Sequence, residues 1–472
     1  MKLLKDFFVV GIGTVLNVLL SFFTGPIITR IVDPAENGKL TVFNTYVGII
    51  TSLFYFGLNE ALLRFFYSYK EKEGKKRLLK LCVVLPSFAF AVVFCIALIM
   101  FLNGLLEIQY SLFVFLILSL CILFTILERM SNVMLQNTFN SKKYSEALVL
   151  KKAVYCFGSI LLLHFFRGSQ FYILALMTTA SVIISTMIGV IGTKEYWEFK
   201  EIGFPDNKKE IFQYSLPMYV YFFVYSLYDS IDKLFINRFC TEEEVGIYSA
   251  AFSLVGVYSV VHMAFKAFWQ PTQTKYYTEN PDDLTFIQKG NRYITIIMLF
   301  LGFNTMMFKD VIFLFLGESY RSGVQLLPFL VFNPIINIMI WTVTSGIEIS
   351  QKSYLKIIII VLSLLVMTVG SVVLIPLIGI KGSGISMAVS LIIQYYLTVY
   401  YSNKNKYIDY GMGKFNINLV FILILAFITT FRNFDAITVF SYFVCLFVFV
   451  ITYFPDLKDL VRIIFDVFRS EN

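Results

Sequence analysis

Charged side chains interrupt a strongly apolar stretch of the chain, YSLYDSIDKLFINRF at residues 225–239. Asp229 and Asp232 could carry a proton or bind a cation, while Lys233 and Arg238 could bind an anionic group such as a phosphate. A charge at the centre of a membrane helix costs at least about 2.5–3.5 kcal/mol, so such groups normally face a bundle interior or a wet cavity. The segment therefore predicts a polar surface inside an apolar structure.

The spacing of these charges predicts that they share one side of a helix. If residues 214–239 form one helix, Asp229, Asp232 and Lys233 lie on the same face. Asp229 and Lys233 are also four residues apart with the acid first, the favourable order for a pair on a helix. Two interpretations remain open. The charges line a hydrated cleft and contact a transported group or a coupling ion, or they neutralise each other while Asp232 holds the helix against a neighbour.

The elements that carry these charges have the composition of membrane helices. Of the 472 residues, 58% are hydrophobic and 15% are charged, and the mean hydropathy is +0.75. The apolar residues form fourteen runs, mostly about 17–25 residues long, which is the length that crosses a hydrocarbon core of about 30 Å. Backbone groups in lipid must be satisfied within their own segment, so the runs predict helices. We expect an all-α integral membrane protein with about 14 transmembrane helices, from 7–31 to 436–454.

Basic residues are distributed unevenly between the segments that connect these runs. With the N-terminus placed in the cytoplasm, 30 of the 39 Lys and Arg residues fall in cytoplasmic segments and eight in outer segments. This bias follows the positive-inside rule and predicts that both termini are cytoplasmic. The net charge of +8 follows from this topology and gives no reason to expect nucleic acid as a partner.

The sequence predicts neither a metal site nor a catalytic centre. The six cysteines are scattered without a C-x-x-C pattern, and two histidines are too few for a histidine-based metal cluster. A membrane polymerase or glycosyltransferase usually needs a long external loop with acidic or histidine residues, whereas the external loops here are short and contain no D-x-D. We therefore expect a protein that is not an enzyme and holds no cofactor, apart from a coupling ion.

An internal repeat relates the two halves of the chain. The stretch ITRIVDPAENGKLTVFNTYVGI aligns with INRFCTEEEVGIYSAAFSLVGV 208 residues later. Arg30 then matches Arg238, and Glu36 matches Glu244. Because the offset spans six predicted helices, an even number, both copies face the same way. This predicts two parallel six-helix bundles related by a pseudo-two-fold axis along the membrane normal, an arrangement found in transporters.

The repeat and the charged connection at mid-chain predict four regions. These are an N-terminal bundle at 1–192, a cytoplasmic linker at 193–213, a C-terminal bundle at 214–402, and helices 13 and 14 with a cytoplasmic tail at 403–472.

Four stretches resemble a known family of transporters. GPIITRIVDPAENGKL resembles its N-terminal signature, as do YSLPMYVYFFVYSLYDSIDKLFINRF and VGIYSAAFSLVGV, and LIPLIGIKGSGISMAVSLIIQYY resembles its glycine-rich twelfth helix. On these residues the chain is identified as similar to the polysaccharide transporters of the multidrug/oligosaccharidyl-lipid/polysaccharide (MOP) exporter superfamily, from about residue 7 to 402. The pair Asp232–Lys233 also matches the family's common "DK" pair.

The resemblance implies a MATE/MOP-like fold and a flippase in the bacterial cytoplasmic (plasma) membrane. Members of this group move polyprenyl-diphosphate-linked oligosaccharides, which are capsule, exopolysaccharide or cell-wall precursors, from the inner to the outer leaflet. The implied partners are that glycan, membrane lipid, a glycan polymerase and glycosyltransferases. The alternative on the same scaffold is a multidrug or cation exporter coupled to Na⁺ or H⁺. Helices 13 and 14 favour the lipid-linked substrate by analogy.

In this reading, further charges near the ends of the runs are candidates for substrate contact. Bases at the cytoplasmic ends would form a cationic mouth for a diphosphate, and the outer pair Arg30 and Arg238 would receive it after transport. The alternative for each is a charge that reaches the membrane surface or anchors a loop. The candidate residues, beyond the three charges of the seventh run, are Arg30, Glu60, Arg64, Arg238, His262, Lys266 and Glu348. Glu128 and Arg129, at the end of the fourth run, are open to the same two interpretations.

Overall fold

The computed structural model describes residues 2–105, 111–166, 168–200, 202–280 and 283–470. Across these residues the chain forms α-helices and three 3-10 helices and contains no strand, which confirms the all-α class. Nine described helices are long and apolar enough to cross a membrane, and a bent pair of helices would add a tenth. The total of fourteen spans stays a prediction. The predicted start of the fourth run at 110 and the outer residue Arg167 lie outside the described residues.

Packing divides the chain into two compact units, Met1–Asn237 (unit 1) and Arg238–Asn472 (unit 2). Unit 1 contains α1 Lys2–Thr29, α2 Pro34–Phe54, α3 Leu58–Phe65, α4 Lys72–Leu102, α5 Leu112–Asn137, α6 Ser141–Phe165, α7 Gln170–Gly192, α8 Lys208–Tyr228 and most of α9 Ile231–Phe239, with 3-10 helices at Phe66–Ser68 and Lys194–Tyr196.

Unit 2 continues with α10 Glu242–Val255, α11 Tyr258–Glu279, α12 Thr285–Met307, α13 Lys309–Phe313, a 3-10 helix Glu318–Leu326, α14 Leu327–Leu330, α15 Phe332–Val343, α16 Ser345–Ile349, α17 Tyr354–Ile378, α18 Ile380–Asn405, α19 Met412–Phe431 and α20 Ala436–Ser470. The four predicted regions, with limits at 192, 213 and 402, stay predictions.

The helix bounds recur at the spacing of the sequence repeat. Moved by 208 residues, α1 falls on α8 and α9, α6 falls on most of α17, and α7 falls on α18. The glutamates at equivalent positions of the repeat, Glu36 and Glu244, make related contacts. Glu36 Oε2 accepts a hydrogen bond of 2.8 Å from the backbone N–H of Phe171 at the start of α7. Glu244 forms a capping box with Thr241 on α10, and a Cβ placed on Gly379, the equivalent of Phe171, would lie 3.8 Å from Glu244 Oε1.

The second predicted span, 38–59, is not one straight helix. The chain bends by 57° between α2 and α3. Phe56 and Gly57 take positive φ angles of 49° and 68°, a conformation that only glycine adopts at little cost. A Cβ on Gly57 would overlap the carbonyl oxygen of Ser215 on α8, so the bend also allows α8 to approach closely.

The fourth and fifth predicted runs, 110–128 and 151–166, are shorter than the helices that contain them. The long connection expected between them is wrong, because α5 continues to Asn137 and α6 begins at Ser141. Asn140 caps α6 by accepting a hydrogen bond from a backbone N–H three residues later. The charged residues near positions 128 and 151 lower the mean hydropathy of the sequence there, so the predicted runs are too short. In the structure these residues lie on one side of each helix, and the helix continues past them.

The linker predicted at 193–213 is held against the start of α4 by ion pairs. Lys72 pairs with Glu195, and Lys76 Nζ lies 2.9 Å from Glu198 Oε2. The hydrogen bond from Lys76 holds the pKa of the Glu198 carboxyl below its usual range. These exposed pairs each contribute little to stability.

Candidate functional site

A polar cavity of about 490 Å³ lies within unit 1. It is formed by α1, α2, α5, α6 and α7, with the following side chains in its wall: Asn17, Ser21, Asn44, Tyr55, Thr125, Glu128, Arg129, Asn132, Leu148, Lys151, Lys152, Tyr155, Thr178 and Ser181. A volume in this range suits a small-molecule or glycan ligand.

The charges of the cavity begin with an ion pair between its two central helices. Glu128 on α5 is only 5% exposed, and its Oε2 lies 2.7 Å from Lys151 Nζ on α6. Both residues are about ten positions from the nearest end of their helix, which corresponds to a depth of about 15 Å. Lys151 thus neutralises the buried Glu128 carboxylate, and the ion pair joins α5 to α6.

Arg129 connects the cavity to one of the predicted candidates. Its Nη2 lies 3.4 Å from Glu60 Oε1 on α3, and the same oxygen accepts a 2.9 Å hydrogen bond from Asn59. The bend at Gly57 determines where α3 lies and so where Glu60 is held. The structure thus brings Glu60, one of the predicted candidates, to the edge of the cavity.

Lys152 is the one cation of the cavity wall without an anionic partner. The side chain is half-buried, and its Nζ lies 5.6 Å from the centre of the Tyr155 ring. It makes no ion pair or hydrogen bond with the residues that the structure describes. The wall therefore carries one carboxylate and three basic groups, a net positive charge.

The neutral polar groups of the wall present both hydroxyl and amide acceptors and the amide N–H donors of three asparagines. The hydroxyls of Ser21, Thr125, Thr178 and Ser181 each donate to a carbonyl one turn earlier in their own helix, at 2.6–2.9 Å. Their remaining capacity is the oxygen lone pairs. Asn132 adds a buried Oδ1 that has no partner among the described atoms. A ligand with several hydroxyls, which both donate and accept hydrogen bonds, would match this surface.

The charges of the seventh run come together at a turn and not along an unbroken helix. Residues 229 and 230 form a turn between α8 and α9. Lys233 Nζ donates to the backbone carbonyl of Asp229 at 2.6 Å and lies 3.4 Å from Asp232 Oδ1. Asp232 is buried and also accepts from the Lys233 backbone N–H at 2.8 Å. Lys233 thus contacts Asp229 through its backbone carbonyl, and the Asp229 residue is exposed. That Asp229 and Lys233 neutralise each other stays a prediction.

The three arginines among the predicted site residues are all exposed. The guanidinium of Arg64 lies over the ring of Tyr214 on α8, 4.7 Å from its centre. Arg30 and Arg238, the repeat-related pair, are both exposed at the ends of α1 and α9, and neither has an ion-pair partner within the described part of the chain.

In unit 2, the remaining candidates form two separate contacts. Lys266 Nζ lies 4.4 Å from the centre of the Trp341 ring, and the His262 ring lies 5.9 Å from the same tryptophan. Glu348 Oε1 lies 2.8 Å from Lys356 Nζ at the start of α17. Among the described residues, no group of three or more His, Cys, Asp and Glu side chains could hold a metal ion.

The sequence-based site prediction missed most of the cavity. The positive-inside count places Lys151 and Lys152 in a cytoplasmic segment, and Asn132 is not among the predicted site residues. A signal was present, because positions 128 and 132 of α5 and positions 148, 151, 152 and 155 of α6 have helical spacing. A search for charges on one face of a continuing helix would have found them.

Comparison with known proteins adds a family and a fold. Residues 3–275 match the family described as "Polysaccharide biosynthesis protein". The solved structure of the lipid II flippase MurJ in an inward closed conformation is similar with a TM-score of 0.71 and 11% identity, covering 96% of this chain and 99% of that one.

Two further structures belong to multidrug resistance MATE family transporters of the MOP superfamily. The inward-facing one has a TM-score of 0.59 at 14% identity and covers 82% of this chain and 94% of that one. The outward-facing one has a TM-score of 0.55 at 15% identity and covers 85% and 94%. No curated protein matches the sequence. These identities establish the fold alone, which is that of a multi-pass membrane protein.

Proposed function

The chain belongs to the polysaccharide biosynthesis protein family, and from this premise we propose that it is a lipid-linked glycan flippase. It moves a polyprenyl-diphosphate-linked oligosaccharide from the inner to the outer leaflet of the bacterial cytoplasmic membrane. The polar headgroup crosses through protein while the polyprenyl tail stays in lipid. The glycan would serve capsule, exopolysaccharide or cell-wall synthesis.

The main support for this proposal is the share of the chain that each similar structure covers. The flippase structure covers 96% of the chain, whereas the two exporter structures cover 82% and 85%. The helices α19 and α20 follow the two predicted six-helix bundles. A structure that resembles nearly the whole chain must therefore include counterparts of these two helices. A likeness along nearly the whole of both chains favours the flippase function over the exporter function.

The cavity of unit 1 supports the same proposal chemically. It combines a net positive charge with hydroxyl and amide acceptors, which suits an anionic, hydroxyl-rich headgroup. A drug or cation exporter is the second candidate, because two of the similar structures are multidrug transporters. Three bases against one acid in this wall disfavour a cationic substrate there. The family and the fold are those of transporters, which supports the expectation that the protein is not an enzyme.

We assign roles to the candidate residues within this proposal. The bases Arg64, Lys233, Lys266, Arg30 and Arg238 attract the diphosphate on the two sides of the membrane. Alternating access moves the headgroup between them.

Ion coupling, by Na⁺ or H⁺, is assigned to Asp229. Among the candidate carboxylates, Asp232 is engaged with Lys233 and Glu348 is paired with Lys356. The exposed Asp229 carboxylate has no such partner in the described ranges, so it is the one that a proton or Na⁺ reaches without breaking an ion pair.

The proposed topology places both termini in the cytoplasm, and the proposed partners are the glycosyltransferases that build the lipid-linked glycan and the polymerase that uses it. The function is tested in vesicles that contain the purified protein. One set carries a fluorescent polyprenyl-diphosphate disaccharide, and the other carries a cationic dye such as ethidium. We expect transfer of the lipid between leaflets and no dye transport. Dye transport without lipid transfer would support the exporter instead.

A further inference from the structure

The cavity of unit 1 contains a half-buried lysine that lacks a counter-charge. Glu128 is matched by Lys151 at 2.7 Å, and Arg129 reaches Glu60 at 3.4 Å. Lys152 has only the Tyr155 ring, 5.6 Å away, and no anion or hydrogen-bond acceptor in the described part of the chain. An uncompensated cation within a membrane bundle is costly, and such residues mark substrate or ion sites.

The neutral groups around Lys152 indicate which anion it would bind. Four hydroxyls of the wall donate to their own helices and leave only acceptor lone pairs, and Asn132 Oδ1 has no donor. A diphosphate offers acceptors alone, so it could pair with the amide N–H groups of Asn17, Asn44 and Asn132 but not with these oxygens. A sugar supplies several O–H donors, and a sugar carboxylate supplies the anion for Lys152.

From this arrangement we propose that the cavity is a binding site for an acidic monosaccharide of the transported glycan. Lys152 Nζ pairs with the sugar carboxylate, and the oxygens of Thr125, Asn132, Thr178 and Ser181 accept hydrogen bonds from ring hydroxyls. The ion pair Glu128–Lys151 positions Lys152 by fixing α6 against α5. The glycan carried by this protein therefore contains a uronic acid or a similarly charged sugar. This inference rests on the proposed flippase function.

The transport test uses two lipids that differ in one group. Both are polyprenyl-diphosphate disaccharides, one ending in glucuronic acid and the other in glucose. Vesicles contain the full-length protein as wild type, Lys152→Gln, Lys152→Arg or Lys142→Gln. Lys142 is the matched control, because it lies on the same helix with 84% of its side chain exposed.

Wild type should transfer the glucuronic acid lipid faster than the glucose lipid. Lys152→Gln should slow the acidic lipid by about tenfold, the value of one charge-assisted hydrogen bond, and leave the glucose lipid unchanged. Lys152→Arg should restore most of the acidic rate, and Lys142→Gln should change neither. An equal loss on both lipids would mean that Lys152 contacts the shared diphosphate and would overturn the proposal. So would unchanged rates in Lys152→Gln.

A binding measurement separates this inference from the flippase function. Purified wild type in detergent is heated with methyl glucuronide or with methyl glucoside, and the unfolding temperature is recorded. We expect stabilisation by the glucuronide alone, absent in Lys152→Gln and retained in Lys142→Gln. Stabilisation without lipid transfer would overturn the flippase function and keep the acidic-sugar site. Lipid transfer without stabilisation by methyl glucuronide would support the flippase function and overturn the acidic-sugar site.

Discussion

Glu128 on α5 and Lys151 on α6 meet at 2.7 Å inside unit 1, about ten residues from the nearest end of each helix. The carboxylate is almost completely buried, whereas the lysine side chain is 37% exposed to the cavity. The pair thus couples two helices and leaves the neighbouring Lys152 as the cation that faces the cavity without an anion. The stability and the binding properties of unit 1 both depend on this contact.

Removal of the buried carboxylate should destabilise the protein. In Glu128→Gln, Lys151 loses its counter-charge, and we expect a loss of about 1–3 kcal/mol, less than for a fully buried pair because Lys151 is partly exposed. The swap Glu128→Lys with Lys151→Glu should recover part of it. Glu146→Gln is the control, since the Glu146 side chain of the pair Glu146–Lys143 on α6 is 32% exposed, against 7% for Glu128, and such a pair contributes about 0–1 kcal/mol. Thermal unfolding in detergent measures each variant, and equal losses for Glu128→Gln and Glu146→Gln would contradict this account.

The two aspartates of the seventh run should differ in their roles. Asp232 is buried and bonded to Lys233, so Asp232→Ala should cost about 2–4 kcal/mol of stability. Asp229 is exposed and its carboxylate has no ion pair in the described ranges, so Asp229→Ala should change stability by less than about 1 kcal/mol. Chemical unfolding of the two variants side by side gives the comparison. A larger loss in Asp229→Ala than in Asp232→Ala would reverse the assignment.

Asp229 should determine how transport responds to an ion gradient. In vesicles, an inward or outward gradient of H⁺ or Na⁺ should change the transfer rate of the lipid-linked glycan in wild type. Asp229→Asn cannot bind or release the coupling ion and should transfer at one rate with or without the gradient, while Glu348→Gln should keep the wild-type response. If Asp229→Asn responds to the gradient as wild type does, the coupling role of Asp229 is wrong.

The bend between α2 and α3 should depend on glycine at position 57. Gly57→Ala places a Cβ against the Ser215 carbonyl at a φ of +68°, so we expect a loss of about 2 kcal/mol or more. Gly48→Ala, within α2 and with no heavy atom within 4 Å of the added Cβ, should be neutral or stabilising by up to about 1 kcal/mol. Unfolding temperatures of the two variants compare the sites directly. Similar unfolding temperatures for the two variants would show that the bend does not require glycine at position 57.

The pH dependence of one loop can be predicted from Asp283. Its carboxylate accepts hydrogen bonds from the Thr285 hydroxyl, from Tyr276 and from the backbone N–H of Thr285, which together hold its pKa at about 2. Since the unfolded chain has a normal pKa near 4, the ionised form stabilises the fold above that pH, and this contribution is lost as the pH falls towards 2. Asp283→Asn should therefore unfold at a lower temperature than wild type at pH 7, and the difference should shrink between pH 4 and pH 2. A constant difference across this range would contradict the assigned interaction.

The sequence predicts the all-α class well, because that class rests on a strong local pattern. Apolar runs required helices, and the Arg30–Arg238 alignment anticipated that α7 and α18 start beside equivalent glutamates. The bend at Gly57 depends on the close approach of Ser215 on α8. These two residues are too far apart in the sequence for a local pattern to predict their contact.

The cavity was missed for a related reason. Hydropathy averages all sides of a helix, so Lys151 and Lys152 appeared to end a span while they face inward from a continuous one. Likewise, the partner of Lys233 depends on the turn at residues 229 and 230 and not on the i,i+4 spacing alone.

The most direct test of the central claim is the movement of a lipid-linked glycan by the purified protein. Vesicles are prepared with a fluorescent polyprenyl-diphosphate disaccharide in both leaflets, and an impermeant reductant quenches whatever reaches the outer surface. With wild-type protein, quenching should proceed beyond the outer-leaflet share until nearly all of the lipid is consumed. If quenching stops at the same level as in protein-free vesicles, with acidic and neutral glycans alike, the protein is not a flippase for such lipids.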